Sequence, residues 1–330
     1  MLELMHRMPE LGLKSVFECP LTILSDSSKR NNVTLELNPN SLTKVANVIF
    51  VDEPAGVGFS YATTYEGTKS SDSILALHSY QFLTKWVLEH PRFQNHQLYI
   101  SGISYMGLLV PMVALEAYKG NEDGNQPQLN IKGYLIISPL TDKFIDFNSR
   151  VEYAHRFALI SDDIYKVTKY NMCINMIMTR VACKACFDIV VIGVMFQSTK
   201  EACGGKYIYN NANNILCLSN LQRVDECISG INLENILEPL CDDADPEPPC
   251  VAATNVVIED WANDEDVQKA LHVREGTIET WKKNNETMHY YFEKNDTTCY
   301  SYDIFSTIVY HKQLVSRNCQ VLIIRYHQYS

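Results

Sequence analysis

Gln97-Leu98-Tyr99-Ile100-Ser101-Gly102-Ile103-Ser104-Tyr105-Met106-Gly107-Leu108-Leu109-Val110-Pro111 is the stretch whose reading decides the fold. A short β-prone run, Gln97 to Ile100, leads into a serine flanked by Gly102 and Gly107. The apolar stretch Leu108 to Ala117 leaves that turn and reads as a helix, with Pro111 tolerable only in its first turn. Small residues are needed where a strand turns sharply into a helix, and such a strained turn lifts its serine hydroxyl above the sheet. The segment reads as a nucleophile elbow whose second glycine comes one place later than in the commonest version. Ser104 is then the candidate nucleophile, and the backbone N–H of Tyr105 supplies half an oxyanion hole. The alternative is an ordinary βα turn whose serine caps the helix.

The neighbouring elements fit this reading. Upstream, Val45-Ala46-Asn47-Val48-Ile49-Phe50-Val51 predicts a buried strand, ended by the proline- and glycine-containing loop Asp52 to Tyr61. A helix is predicted from about Ser71, with Asp72 near its start, an apolar face at Ala76, Tyr80, Leu83 and Val87, and Pro91 as its stop. Downstream, Gly133 to Ile137 predicts a third strand. Strand–helix–strand–helix–strand implies a parallel sheet with crossover helices, an α/β class. From about 142 to 255 the strands disappear and cysteines concentrate, which predicts a helical, disulfide-rich insertion containing the acidic proline-rich loop Asp242 to Pro249. Residues 256–330 return to the core, with helices near Asp264–His272 and Thr277–Lys283 and a strand at Gln320–Ile324. The expected organisation is therefore 1–141, 142–255 and 256–330.

The chain has 330 residues, 46% hydrophobic and 20% charged, with a formal net charge of −11. That balance excludes a nucleic-acid binder built on a basic face. No apolar run reaches the roughly 18 residues of a membrane span, so no membrane partner is expected. Eleven cysteines, eight of them from Cys173 to Cys250, join three sequons at Asn32, Asn285 and Asn295 in pointing to an oxidising, secretory-route compartment. Against this, Met1-Leu2-Glu3-Leu4-Met5-His6-Arg7 lacks the features of a signal peptide, so either the compartment or the start is misread.

Several segments together resemble the serine carboxypeptidases, peptidase family S10 of the α/β-hydrolases. They are Gly102 to Pro111, Asp52-Glu53-Pro54-Ala55-Gly56-Val57-Gly58-Phe59-Ser60-Tyr61, Leu35 to Ser41, Ile131 to Tyr134, Cys227 to Asn232, and Trp261 to Asp264 with Val267 to Arg274. The nearest branch resembles the plant serine carboxypeptidase-like proteins, several of which transfer acyl groups from glucose esters. The resemblance implies a Ser–Asp–His enzyme in which serine attacks an ester or C-terminal peptide carbonyl, and the acyl-enzyme passes to water or a hydroxyl acceptor. It implies no cofactor and no metal, a small-molecule ester or peptide as the partner, and travel to the vacuole or outside. Asp52, Glu53, Pro54, Gly56, Gly58, Phe59, Ser60 and Tyr61 become the substrate-pocket loop. Cys203 with Cys217 resembles a family disulfide, and Cys241 with Cys250 would close the acidic loop. Oligomeric state is left open.

The chain departs from that pattern. After the strand ending at Ile324 it reads Arg325-Tyr326-His327-Gln328-Tyr329-Ser330, without the family's aspartate loop or a later histidine segment, and no Gly-Gly-Pro-Gly-Cys precedes Asp52. The expectation is an incomplete α/β-hydrolase sheet. Where the peptidases carry an acid before the nucleophile, this chain has Ile103. Asp303 with His311 or His327 keeps the triad's order; otherwise Asp303 caps or pairs locally and the histidines are surface groups. Residues 170–200 interrupt the family pattern and are expected to be a retained intron or mispredicted exon. Cys183-Lys184-Ala185-Cys186 within them lacks a partner pair for zinc, the two glycines at 56 and 58 lack the lysine of a phosphate loop, and Asp52 and Glu53 lack a nearby histidine for a metal. Two functions remain: a serine-type hydrolase or acyltransferase, and a catalytically inactive relative lacking the triad Asp and His.

Overall fold

Largely apolar runs at 98–103 and 131–137, broken only by the small Ser101 and Gly102 and by Lys132 and Gly133, form the inner strands of a parallel sheet, as expected of strands covered on both faces. The computed structural model describes residues 2–3, 21–25, 33–37, 41–165, 199–207, 213–232, 240, 258–278, 280–281 and 300–325. Its strands are β1 (Leu2–Glu3), β2 (Leu21–Ser25), β3 (Val33–Leu37), β4 (Ser70–Ser71), β5 (Leu98–Ile103), β6 (Ile131–Ile137), β7 (Tyr300–Ser301) and β8 (Gln320–Ile324). Its labelled helices are α1 (Asp72–Glu89), α2 (Met106–Glu122), α3 (Lys143–Arg156), α4 (Asp162–Tyr165), α5 (Thr199–Cys203), α6 (Ile215–Ile228), α7 (Glu265–Ala270) and α8 (Ile308–Val315).

The main sheet has the order β1-β5-β6-β8, all pairs parallel. Ile103, Ile137 and Ile324 stand in register, so β5, β6 and β8 end together on one edge. In open parallel sheets that carboxyl edge is where sites form. Gly133 lets β6 and β8 approach: a Cβ there would lie 2.1 Å from the Gln320 carbonyl oxygen. Two small pairings complete the strands, an antiparallel β2–β3 and a parallel β4–β7.

One unit comprises Met1–Asp142 with Cys241–Tyr326. In its core α2 packs against β5, β6, α1 and α8, which explains why α2 is apolar on nearly every side. Leu83, Ile100, Leu108, Val113, Ile136 and Leu314 are fully buried there. α1 is capped by Ser71, whose hydroxyl accepts from Ile74 N–H at 3.2 Å, and ends at Glu89 before Pro91.

The other unit comprises Lys143–Leu240 with His327–Ser330. Its described elements α3 to α6 are all helical, around Val151, Ala154, Ile164, Val224 and Ile228. A disulfide joins Cys203 to Cys217, and the Asn214 side chain ties the two helices again by capping α6 and donating to the Ala202 carbonyl at 2.8 Å.

Several expectations from sequence need correction. Val45–Val51 is not a continuous strand; Phe50 takes part in a single β-bridge. Ser41 caps a 3-10 turn over Leu42–Lys44, and its hydrogen bonds run on into Val45 and Ala46. Val45 is exposed, while Ile49 and Val51 pack on the core from an irregular segment. Pro111 lies beyond the first turn of its helix, because α2 begins at Met106 and not at Leu108. No helix covers Thr277, which instead follows Gly276 (φ 74°) and donates to the Arg274 carbonyl in a turn. Residues 170–198, Asn32, Cys241, Cys250, Asn285, Asn295 and His327 lie outside the described residues.

Candidate active site

Ser104 sits where β5 ends, with φ 58°, a left-handed conformation that a non-glycine residue rarely adopts. Three backbone bonds hold it there. Its N–H donates to the Ile137 carbonyl at 2.9 Å, and its carbonyl accepts from Gly107 and from Leu140, each at 2.9 Å. The turn is thus clamped between the end of β6 and the start of α2. Tyr105 follows in the helical region (φ −56°, ψ −32°) as the N-terminal cap of α2, so its N–H belongs to the positive end of a seventeen-residue helix.

Gly107 is required by the elements that cross it. A Cβ at this position would lie 2.3 Å from Pro139 Cβ, 2.7 Å from Pro139 Cα and 2.8 Å from the Leu140 carbonyl oxygen. The turn after β6 therefore rests directly on the first turn of α2. Ser138 also has a positive φ, 40°, and its N–H donates to the Ile324 carbonyl at 2.7 Å.

The loop at 52–61 is held by its own side chains. Glu53-Pro54 is a cis peptide, and Gly56 N–H donates to the Ser60 carbonyl at 2.8 Å. Asp52 Oδ2 accepts from Phe59 N–H at 3.0 Å, and the Ser60 hydroxyl donates to the Asp52 carbonyl at 2.5 Å. Gly58 (φ 58°) leaves room for this, since a Cβ there would stand 2.2 Å from Asp52 Oδ2. Phe59 meets the ring of Trp281 at 6.3 Å, and Tyr61 accepts from Arg274 at 3.0 Å. Asp52 is thereby occupied with its own loop. Among the described residues no group of three or more His, Cys, Asp or Glu is placed to hold a metal.

Glu53 reaches α1, where the Ser79 hydroxyl lies 2.5 Å from its Oε2. Burial pushes the Glu53 carboxyl up to about 7, the Ser79 bond only partly opposing it. Seven residues earlier, on the same face of α1, Asp72 accepts from the Tyr105 hydroxyl at 2.5 Å. One helix thus holds both the 52–61 loop and the turn at Ser104. In sequence Asp72 reads only as a helix-start residue and Ser79 carries no signal; nothing local distinguishes either from an ordinary helix position.

Asp303 and His311 are engaged elsewhere. Asp303 accepts from the Ser71 hydroxyl and from Ser73 N–H, each at 3.1 Å, reinforcing the start of α1. His311 shares a hydrogen bond through Nδ1 with the hydroxyl of the buried Tyr134, and burial lowers its basicity. Among the described residues no hydrogen bond joins Asp303 to His311.

Comparison with known proteins places this geometry. The serine carboxypeptidase family model matches residues 20–325. Serine carboxypeptidase-like 17 of Arabidopsis thaliana is 35% identical over 272 residues, covering 82% of this chain and 52% of that protein. Serine carboxypeptidase-like 16 of the same plant is also 35% identical, over 85% of this chain and 54% of its own length. The chain thus spans about half the length of these relatives. Among solved structures, Kex1(delta)p, a prohormone-processing carboxypeptidase from Saccharomyces cerevisiae, superposes with a TM-score of 0.63 at 15% identity. That match covers 98% of this chain and 64% of that one. The sheet, the strained serine turn and these matches agree on one assignment: the chain is an α/β-hydrolase of the serine carboxypeptidase family.

Proposed function

We propose that Ser104 is the nucleophile of a serine-type acyl transfer, in which an ester or a C-terminal peptide carbonyl acylates its hydroxyl. The acyl group then passes to water or to a hydroxyl acceptor, with the Tyr105 N–H as one donor to the developing oxyanion. The observation that carries this reading is the φ of 58° at Ser104, between the end of β5 and the start of α2. Backbone strain of this kind persists where function needs a side chain aimed off the sheet edge. Ile103 precedes the serine and offers no carboxyl to hydrogen-bond a peptide's terminal carboxylate, which favours an ester acyl donor such as a glucose ester. The Cys203–Cys217 disulfide supports folding in an oxidising compartment, the secretory route. The loop Asp52 to Tyr61 serves as the substrate-pocket loop in this reading.

A second reading has its own support. Asp303 and His311 are tied to α1 and Tyr134, and a relative that binds such substrates without turnover fits that arrangement. Incubation of the purified protein with a glucose ester plus a hydroxyl acceptor, and separately with a blocked dipeptide, decides between them. The expected result is ester consumption that falls to the uncatalysed background in Ser104→Ala. Consumption unchanged in Ser104→Ala would refute the nucleophile role, and no consumption by either protein would favour the binding relative.

A further inference from the structure

Asp72 has no exposed surface, and its carboxylate gathers three donors from two distant parts of the chain. Oδ1 accepts from the Tyr105 hydroxyl at 2.5 Å and the Tyr300 hydroxyl at 2.9 Å, while Oδ2 accepts from Ile304 N–H at 2.9 Å. The Tyr302 ring packs edge-on against both tyrosines, at 5.6 and 5.5 Å. An aspartate in a helix's first turn ordinarily serves its own helix's N–H groups. In α1 that task falls to Ser71 and Asp303, which accept from Ile74 and Ser73 N–H. Asp72 therefore points away from its own helix end and toward the residue after Ser104.

Burial first, and the Asp72 charge second, push both tyrosines well above their ordinary range, so their hydroxyls remain protonated donors. Charge-assisted O–H bonds to a carboxylate are short and strong, and a buried carboxylate needs all of its donors. The Tyr105 side chain is thus anchored at its far end, one residue beyond a turn held at a positive φ.

We propose that Asp72 is the positioning residue of the nucleophile turn, gripping the Tyr105 hydroxyl and thereby holding the Tyr105 N–H and the adjacent Ser104 in place. The catalytic consequence rests on the nucleophile reading of Ser104; the mechanical anchoring does not. A matched pair of variants separates anchoring from mere fold stability. Tyr105→Phe and Tyr300→Phe each delete one hydroxyl from the same carboxylate oxygen, but only Tyr105 belongs to the elbow. Hydrogen exchange of a peptide spanning residues 104–108 is measured in each, together with the second-order labelling rate by a fluorophosphonate and the melting temperature.

The expected result is a similar fall in melting temperature for both variants. Tyr105→Phe alone should exchange at least tenfold faster over 104–108 and label at least tenfold more slowly, with Tyr300→Phe within twofold of the wild type in both. Asp72→Leu, which removes both acceptor oxygens, should match Tyr105→Phe in exchange and labelling, and if it fails to fold the tyrosine pair still decides. Equal effects of the two tyrosine variants, or unchanged exchange in Tyr105→Phe, would overturn the proposal. If the wild-type protein takes no label, the nucleophile reading fails, while the exchange comparison still decides the anchoring.

Discussion

Gly107→Ala is expected to destabilise the protein by about 3 kcal/mol or more, the upper end of what overpacking a well-filled site costs. The added methyl would lie 2.3 Å from Pro139 Cβ and 2.7 Å from Pro139 Cα, and only backbone movement relieves the second contact. The segment that would have to move contains Leu140, whose N–H donates to the Ser104 carbonyl at 2.9 Å. Relief of the clash therefore breaks a bond that holds Ser104 at its positive φ. Urea denaturation monitored by tryptophan fluorescence measures the loss. A midpoint within experimental error of the wild type would show that α2 and the turn after β6 do not rest on one another.

The second large effect is one of pH. Glu53 has a carboxyl raised by burial from 4.5 to about 7. Ser79 Oγ stands 2.5 Å from Glu53 Oε2 and 2.8 Å from the Leu75 carbonyl oxygen. A hydroxyl carries one hydrogen, so the ionised carboxylate competes with the helix carbonyl for it. When Glu53 is protonated it can donate to Ser79, and Ser79 then donates to Leu75, leaving each partner satisfied. Below pH 4.5 the folded and unfolded chains both hold this proton. Between 4.5 and about 7 only the folded chain holds it, so stability declines as pH rises; above about 7 the loss is complete. The size is on the order of 3 kcal/mol, since each tenfold difference in proton affinity between the folded and unfolded chains is worth about 1.4 kcal/mol. Glu53→Gln, which keeps the shape and removes the titration, should flatten this part of the profile. Parallel stability–pH curves for the two proteins would contradict the assignment.

The elbow is legible in sequence because its demands are local. Gly102 and Gly107 flank Ser104 within six residues, and the change from strand to helix pattern happens across them. The reason for Gly107 is not local, since Pro139 reaches it from the turn after β6. The departure from a strand at Val45–Val51 has a physical cause of the same kind. Its apolar residues do pack on the core, at Ile49 and Val51, but the turn that Ser41 starts takes the N–H groups of Val45 and Ala46, which shortens any pairing at the front of the segment. β3, not among the predicted strands, does carry a strand signal, since Val33, Leu35 and Leu37 alternate with Thr34 and Glu36. β1, of two residues, is too short to show a period.

The Asp72 network is the least legible part of the site. Its partners are separated from it by 33, 228 and 232 residues, and a Ser-Asp pair at a helix start reads simply as a cap. Asp303 shows the reverse. Its order after Ser104 makes it a triad candidate, whereas its geometry makes it a second cap for α1. Residue order states which triads are possible; side-chain commitments state which group is available to take a proton.

The most direct test of the central claim is mass-spectrometric mapping of fluorophosphonate adducts on the purified protein. A serine that acts as nucleophile at this strained turn should carry the adduct on Ser104, with the label lost in Ser104→Ala and the melting temperature of that variant kept near the wild type. Absence of label on Ser104 in folded wild-type protein, or equal labelling after its replacement by alanine, would contradict the claim.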